Sequence, residues 1–205
     1  IKKRKNIRIS RLGVLNINQL RQPSNERFKL VSCSNLIKVK RIDLILESLS
    51  FIKNRKIDWF VIGDGPMRKY IEENEKRLDS DINIKMVGRL QNKEVYDFYK
   101  KENPDLFINL SSSEGVPVSI MEAMSFGIPV IATDVGGTRE IVNMKNGILL
   151  ESNPSPKNIA QQICNFMSLT KKEVEEKRDL AFSDLTTKYN ANKNYKDFIN
   201  QIINL

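Results

Sequence analysis

Histidine is missing from all 205 residues. Its absence removes the commonest general base at neutral pH and the commonest metal ligand. This excludes a Ser-His-Asp triad and argues against a zinc site. Cysteine is scarce: Cys33 and Cys164 lie far apart and form no CxxC motif. They read as reduced thiols in the core, as suits the cytosol. Long hydrophobic runs are missing too, since no stretch approaches the roughly 20 apolar residues that span a bilayer. The start, IKKRKNIRIS, has no apolar segment behind it, so no secretory signal is visible. Because the first residue is Ile1, the chain is expected to be a piece of a longer protein. No GxxxxGK followed by Ser or Thr occurs, so there is no P-loop. GDGP, residues 63–66, lacks the third glycine of GxGxxG, which argues against a nicotinamide dehydrogenase.

What is present is an ordinary globular balance, 40% hydrophobic and 29% charged, enough for one sizeable core. Basic residues outnumber acidic ones by 34 to 25, giving a net charge of +9. That suits anionic partners: a nucleoside diphosphate, an anionic lipid surface or nucleic acid. The excess is not focused. KKRK at 2–5 reads as a solvated terminal run, and no basic stripe is interleaved with aromatics. Nucleic acid is therefore not expected as a partner.

Apolar strands alternate with helical patterns along the chain. FKLVSC (28–33), IDWFVIG (57–63), NIKMVG (83–88), DLFINL (105–110), IPVIAT (128–133) and GILL (147–150) read as strands. KRIDLILESLSFI (40–52), with Ile42, Ile45, Leu46 and Leu49 at helical spacing, reads as a helix. So does PMRKYIEENEKRL, with Pro66 at its first position, and so do NKEVYDFYKK, VSIMEAMSFG closed by Gly127, GTREIV and PKNIAQQICNFMSL. Strands that are apolar throughout are covered on both faces, as in a parallel sheet. The expected fold is α/β: one doubly wound, Rossmann-like sheet of six parallel strands with helices on both faces. Residues 1–27 read as a leading segment, 28–170 as the sheet domain, and 171–205 as C-terminal helices with Phe182, Leu185, Tyr189, Tyr195, Phe198 and Ile202 as an apolar side. That side either packs on the sheet domain or reaches a partner domain.

Ligands of such sheets bind beyond the carboxyl ends of the strands. Gly63, Gly88 and Ser111–Gly115 all follow strands and are expected at one rim. The stretch SSSEGVPVSIMEAMSFGIPVIATDVGGTREIV, residues 111–142, places Glu114 before a helix and Glu122 inside it. The helix is expected to start near Pro117, with unpaired N–H groups facing the rim. Gly115 permits close approach of a ligand to the backbone. A nucleotide sugar fits this layout: a ribose diol on Glu122, phosphates at the helix end, and a hexose near Glu114. Equally, both carboxylates can simply favour the helix dipole.

The full pattern closely resembles the donor-binding signature of retaining GT-B glycosyltransferases, specifically glycosyltransferase family four. Its elements stand in order as Glu114, Glu122-Ala-Met, Gly127, Pro129-Val130, Gly136-Gly137 and Glu140. The resemblance extends over about residues 28–150, with KRIDLI, GDGP and VGRL upstream. It implies that Glu114 sits by the transferred sugar and that Glu122 holds the ribose. It implies contacts from the backbone around Gly115, Val116, Pro117 and Val118 to sugar and phosphate, Pro117 offering no N–H. Lys40 matches the lysine that meets the diphosphate, and its charge stabilises the leaving group without a metal. Arg89 and Leu90 match the backbone that meets the nucleotide base, and Gly63 keeps the rim open. Asn35 stands where the family often has an arginine, so Lys38, Arg41 or Arg89 is expected to supply the second cation. Arg41 also stands where a glycine is usual. Asp79-Ser-Asp81 reads as a solvated turn, not a metal motif.

The resemblance implies one half of a hexosyltransferase, expected to act on a glycan or lipid-linked acceptor in surface polysaccharide biosynthesis. No metal or other cofactor is expected, and the acceptor half is expected in a missing N-terminal domain. The expected location is cytoplasmic, with peripheral contact at the inner face of a membrane. A non-catalytic nucleotide-sugar-binding or interaction domain is the alternative.

Overall fold

Alternating side chains send each strand into two cores at once. The computed structural model describes residues 10–15 and 26–203. Most of the 1–27 segment, including KKRK, lies outside the described residues. The strands are β1 (Phe28–Cys33), β2 (Ile57–Ile62), β3 (Ile82–Gly88), β4 (Leu106–Asn109), β5 (Val130–Thr133) and β6 (Gly147–Leu150). They form one parallel sheet in the order β3-β2-β1-β4-β5-β6. On β2, Trp59 and Val61 face one core and Phe60 and Ile62 the other.

The Trp59 core is closed by α1 (Ile42–Ser50), α2 (Arg68–Asn74) and α6 (Pro156–Met167). The Phe60 core is closed by α3 (Asn92–Glu102), α4 (Val118–Met124) and α5 (Thr138–Ile141). Ala181 and Leu185 of α7 (Lys171–Lys188) join that second core. Doubly wound six-stranded architecture is therefore what the chain adopts. Truncating the fully buried Trp59 to alanine removes about 3–5 kcal/mol.

Three helix starts differ from the periodicity. Helix α1 begins at Ile42, because Arg41 adopts the left-handed region at φ 47° and separates α1 from a 3-10 turn at Lys38–Lys40. Helix α2 begins at Arg68, two residues after Pro66, since 66–67 form a turn, and a 3-10 turn at Glu75–Arg77 ends it. Pro117 is the N-cap of α4 rather than its first residue. Gly127, at φ 65°, closes α4 by returning its N–H to Met124.

The tail divides in two. Leu185 and Tyr189 are buried, whereas Tyr195, Phe198 and Ile202 of α8 (Ala191–Ile203) are exposed, and only Ala191 of α8 is buried. Val14 pairs with the α7–α8 junction, its N–H donating to Tyr189 and its carbonyl accepting from Ala191.

Candidate functional site

The sheet order reverses between β1 and β4, and their carboxyl ends open a crevice. The loop after β1 runs from Ser34 to Arg41 and the loop after β4 from Leu110 to Pro117. They are stitched together by the Ser112 N–H donating to the Val39 carbonyl at 2.8 Å. Lys40 reaches across, Nζ to Glu114 Oε1 at 2.7 Å. Ser111 Oγ at 2.6 Å and Asn109 Nδ2 at 3.1 Å donate to the same oxygen. Beneath them lies a cavity of about 10 Å³ lined by Ser32, Cys33, Lys40, Asn109 and Ser111, room for one water. A larger groove of about 270 Å³ lies elsewhere, between Arg11 and the α7–α8 junction.

Main-chain contacts hold the Glu114 loop. Gly136 sits at φ 53°, and a Cβ there would stand 1.8 Å from the Glu114 carbonyl oxygen. The next N–H, from Gly137, donates to the Gly115 carbonyl at 2.7 Å. Gly115 itself faces open space, leaving its backbone accessible. Gly63 also permits a close backbone approach. A Cβ at Gly63 would meet the Ser34 carbonyl oxygen at 1.8 Å, so this glycine lets the β2–α2 turn press on the loop that carries Asn35.

Asn35 and Lys38 are exposed on that loop, and Arg89 is exposed just beyond Gly88. Arg41 is not available to a ligand. Its guanidinium donates to the carbonyls of Leu110, Ser111 and Ser152 and to the Asn153 side chain. These four bonds offset the left-handed backbone that a glycine would adopt freely. Of the three candidate second cations, Lys38 and Arg89 therefore remain.

Glu122 lies on the β3 side of the crevice, 8% exposed. Its Oε1 accepts a short hydrogen bond from Asn92 Nδ2, at the start of α3. Leu90 packs on the same core as Val116. The first intrahelical bond of α4 runs from the Met121 N–H to the Pro117 carbonyl, so the N–H groups of Val118, Ser119 and Ile120 precede it. Val118 is exposed.

The two carboxylates titrate in opposite directions. Burial pushes Glu114 up, but hydrogen bonds from Lys40, Ser111 and Asn109 and the Lys40 charge outweigh it and hold the group below its ordinary value. Burial pushes Glu122 up, and Asn92 offsets this only in part. Burial, with the Glu122 charge, raises the Cys33 thiol to about 12.

Lys40, Glu114, Glu122, Arg89, Leu90 and residues 115–118 thus share the carboxyl edge of the sheet, with Lys40 and Glu114 in direct contact. Sequence reasoning missed Asn92, Asn109, the hydrogen bond from Ser111 to Glu114 and the support from Gly136 and Gly137. Asn109 closes the strand DLFINL, where its type alone does not mark it as a partner of Glu114. Asn92 looked like part of a helix start.

Known proteins are similar to this chain in sequence and in fold. The GtfA subunit of the UDP-N-acetylglucosamine–peptide N-acetylglucosaminyltransferase of Streptococcus parasanguinis is 26% identical over 96% of this chain and 40% of its own. The O-antigen biosynthesis glycosyltransferase WbnH of Escherichia coli is 32% identical over 62% of this chain and 34% of its own. This chain therefore spans well under half the length of both relatives. Among solved structures, the lipopolysaccharide outer core galactosyltransferase WaaB superposes with a TM-score of 0.74 at 20% identity, over 94% of this chain and 54% of its own. HepE of Anabaena, in complex with UDP and glucose, gives 0.71 at 18%, over 87% and 49%. Both share the Rossmann-like fold of GT-B glycosyltransferases. The family model for glycosyl transferases group 1 matches residues 16–179, most of the sequence, and the chain belongs to that family.

Proposed function

We propose that this chain is the donor-binding half of a retaining GT-B glycosyltransferase of family four. The whole enzyme transfers a hexose from a nucleoside diphosphate sugar to a hydroxyl of a glycan or lipid-linked acceptor, in surface polysaccharide biosynthesis. The observation that carries this reading is the Lys40–Glu114 ion pair at the switch point of the sheet, with Glu122 one loop away. The names of the relatives support it, since they speak of N-acetylglucosamine transfer and O-antigen biosynthesis.

In this reading the ribose diol binds Glu122, and the base lies against the backbone at Arg89 and Leu90. Sugar and phosphates meet the backbone at Gly115, Val116 and Val118, while Pro117 shapes the loop. When the bond between sugar and diphosphate breaks, charge grows on the leaving oxygen, and the Lys40 ammonium neutralises it. Glu114 stands beside the positive charge developing on the sugar. Its tight pairing with three donors suits electrostatic support. An acceptor hydroxyl then bonds to the sugar carbon on the same face as the breaking bond, and its proton passes to the departing diphosphate oxygen. Lys40 supplies the cation, so the whole enzyme is expected to keep its activity in EDTA.

The acceptor is proposed to enter from a second domain across the cleft. The 205-residue chain alone then binds nucleotide weakly and turns over little sugar. The net charge of +9 suits a cytoplasmic protein resting on an anionic membrane. Among the described residues no helix is long and apolar enough to cross one. Co-sedimentation of the chain with acidic and neutral liposomes tests this contact. Asn35, where an arginine is common, favours a second reading in which the domain binds nucleotide sugar without chemistry.

Calorimetric titration with UDP- and GDP-sugars tests the site. One nucleotide sugar is expected to bind, and Glu122→Ala to weaken it at least about tenfold. Equal binding by the variant overturns the proposal.

A further inference from the structure

Glu122 is a nearly buried carboxylate with little to compensate its charge. The groups around it come from three elements. Cys33 stands at the end of β1, Tyr96 and Tyr99 project from α3, and Asn92 opens α3. The thiol and both phenols are pushed up by burial and are neutral at pH 7. Both tyrosine rings are set by edge-on packing against Phe126, with centroids 5.4 Å away. The Tyr96 hydroxyl is engaged by the Asn92 side chain and the Leu15 backbone, and the Tyr99 hydroxyl lies against the Cys33 thiol. Among the described residues, the hydrogen bond to the Glu122 carboxylate comes from Asn92. The Asn92 amide engages one carboxylate oxygen, and a ligand diol offers O–H donors for the other.

Asn92 is free for this task because the helix start is already served. Gln91 and Glu94 form a reciprocal capping box, so the first N–H groups of α3 need nothing from Asn92. Its amide instead crosses to α4, 30 positions along the chain. It also stands two residues beyond Leu90, with Gln91 between them. One residue therefore ties the loop beside the base to the carboxylate beside the ribose.

Building on the donor-binding reading above, we propose that Asn92 is the positioning residue for the ribose-binding carboxylate. It fixes one oxygen of Glu122 so that the other is presented to the 2′,3′-diol, and it holds the β3–α3 loop and α4 in register across the nucleoside. Asn92 thereby sets the preference for ribose over deoxyribose.

The test is a titration of the chain with UDP, GDP and their 2′-deoxy forms, for wild type, Asn92→Ala and the near-isosteric Asn92→Asp. Thermal unfolding monitors the fold of each variant. Wild type is expected to prefer one ribonucleotide over its deoxy form about tenfold or more. Asn92→Ala is expected to lose about tenfold for the ribonucleotide, with the deoxy form changing less than about twofold, so the preference collapses. The pH above which the ribonucleotide binds is expected to move upward in Asn92→Ala, because the amide no longer favours the charged carboxylate. Asn92→Asp replaces the donor by a second acid and is expected to lose the preference at pH 8. A wild type indifferent to the 2′-hydroxyl sinks the donor-binding role of Glu122. A selective wild type whose two variants, folded, stay equally selective overturns the role of Asn92 alone.

Discussion

At Glu114 three donors favour the charged carboxylate, and at Glu122 burial opposes it. The consequences for stability have opposite signs. Glu114 is lowered on folding, so its contribution is present above the ordinary glutamate range and is lost as pH falls through its folded value. Glu122 is raised, so its penalty is absent at low pH and fully developed once pH exceeds its folded value. Glu122→Gln keeps an acceptor for Asn92 and removes the charge. It is expected to raise the melting temperature at pH 7 by about 2–4 °C, with the gain vanishing near pH 4, while nucleotide affinity falls. Scanning calorimetry at the two pH values checks this, and an unchanged melting temperature at pH 7 contradicts the account. Arg41 shows where residue-level reading stopped short. The sequence placed a cation near a phosphate site, but a cation on that loop can equally turn inward. The left-handed backbone sends its guanidinium to three carbonyls. Nothing in local spacing announces partners 69 to 112 positions away.

Among the elements, strands were more legible than helix starts. β2 and β4 are buried along their whole length, so hydrophobicity alone marks them. The starts of α1, α2 and α4 are decided by turns at Arg41, Pro66–Met67 and Pro117, where the loop's outside contacts compete with helical spacing. The glycines of the rim loops were legible as motif but not as mechanism. Gly136 serves the β4–α4 loop through bare backbone contact, which only the fold reveals. Gly136→Ala is expected to destabilise the chain by about 1–3 kcal/mol, from the clash and the positive φ together. It is also expected to weaken nucleotide binding, because Glu114 must shift. Urea unfolding measures the first effect and calorimetry the second. A variant as stable and as tightly binding as wild type contradicts the interlock.

Over the whole molecule, burial is uneven. The sheet and α1–α7 share two continuous cores, while α8 exposes Tyr195, Phe198, Ile199, Ile202 and Ile203. Leu12 and Leu15, on the segment whose Val14 pairs with Asn190 at the α7–α8 junction, are exposed too. Removing residues 192–205 therefore deletes little core. The shortened chain is expected to melt within about 3 °C of the parent and to aggregate less on concentration, since it loses an exposed apolar face. Thermal unfolding and light scattering test this, and a loss of cooperative unfolding shows that α8 belongs to the core after all. The sequence marked this helix as amphipathic but could not say which half of the tail is covered, because that depends on where α7 ends against the sheet.

The interlock between glycines and carbonyls at the crevice has a consequence for descent. At Gly63, Gly136 and Gly137 the shape of this edge depends on close backbone contact. Outward-facing neighbours such as Asn35, Ser113 and Val118 are exposed beside that frame. Under the donor-binding proposal, exchanges at such exposed positions are expected to alter ligand preference while the glycine-held frame is kept.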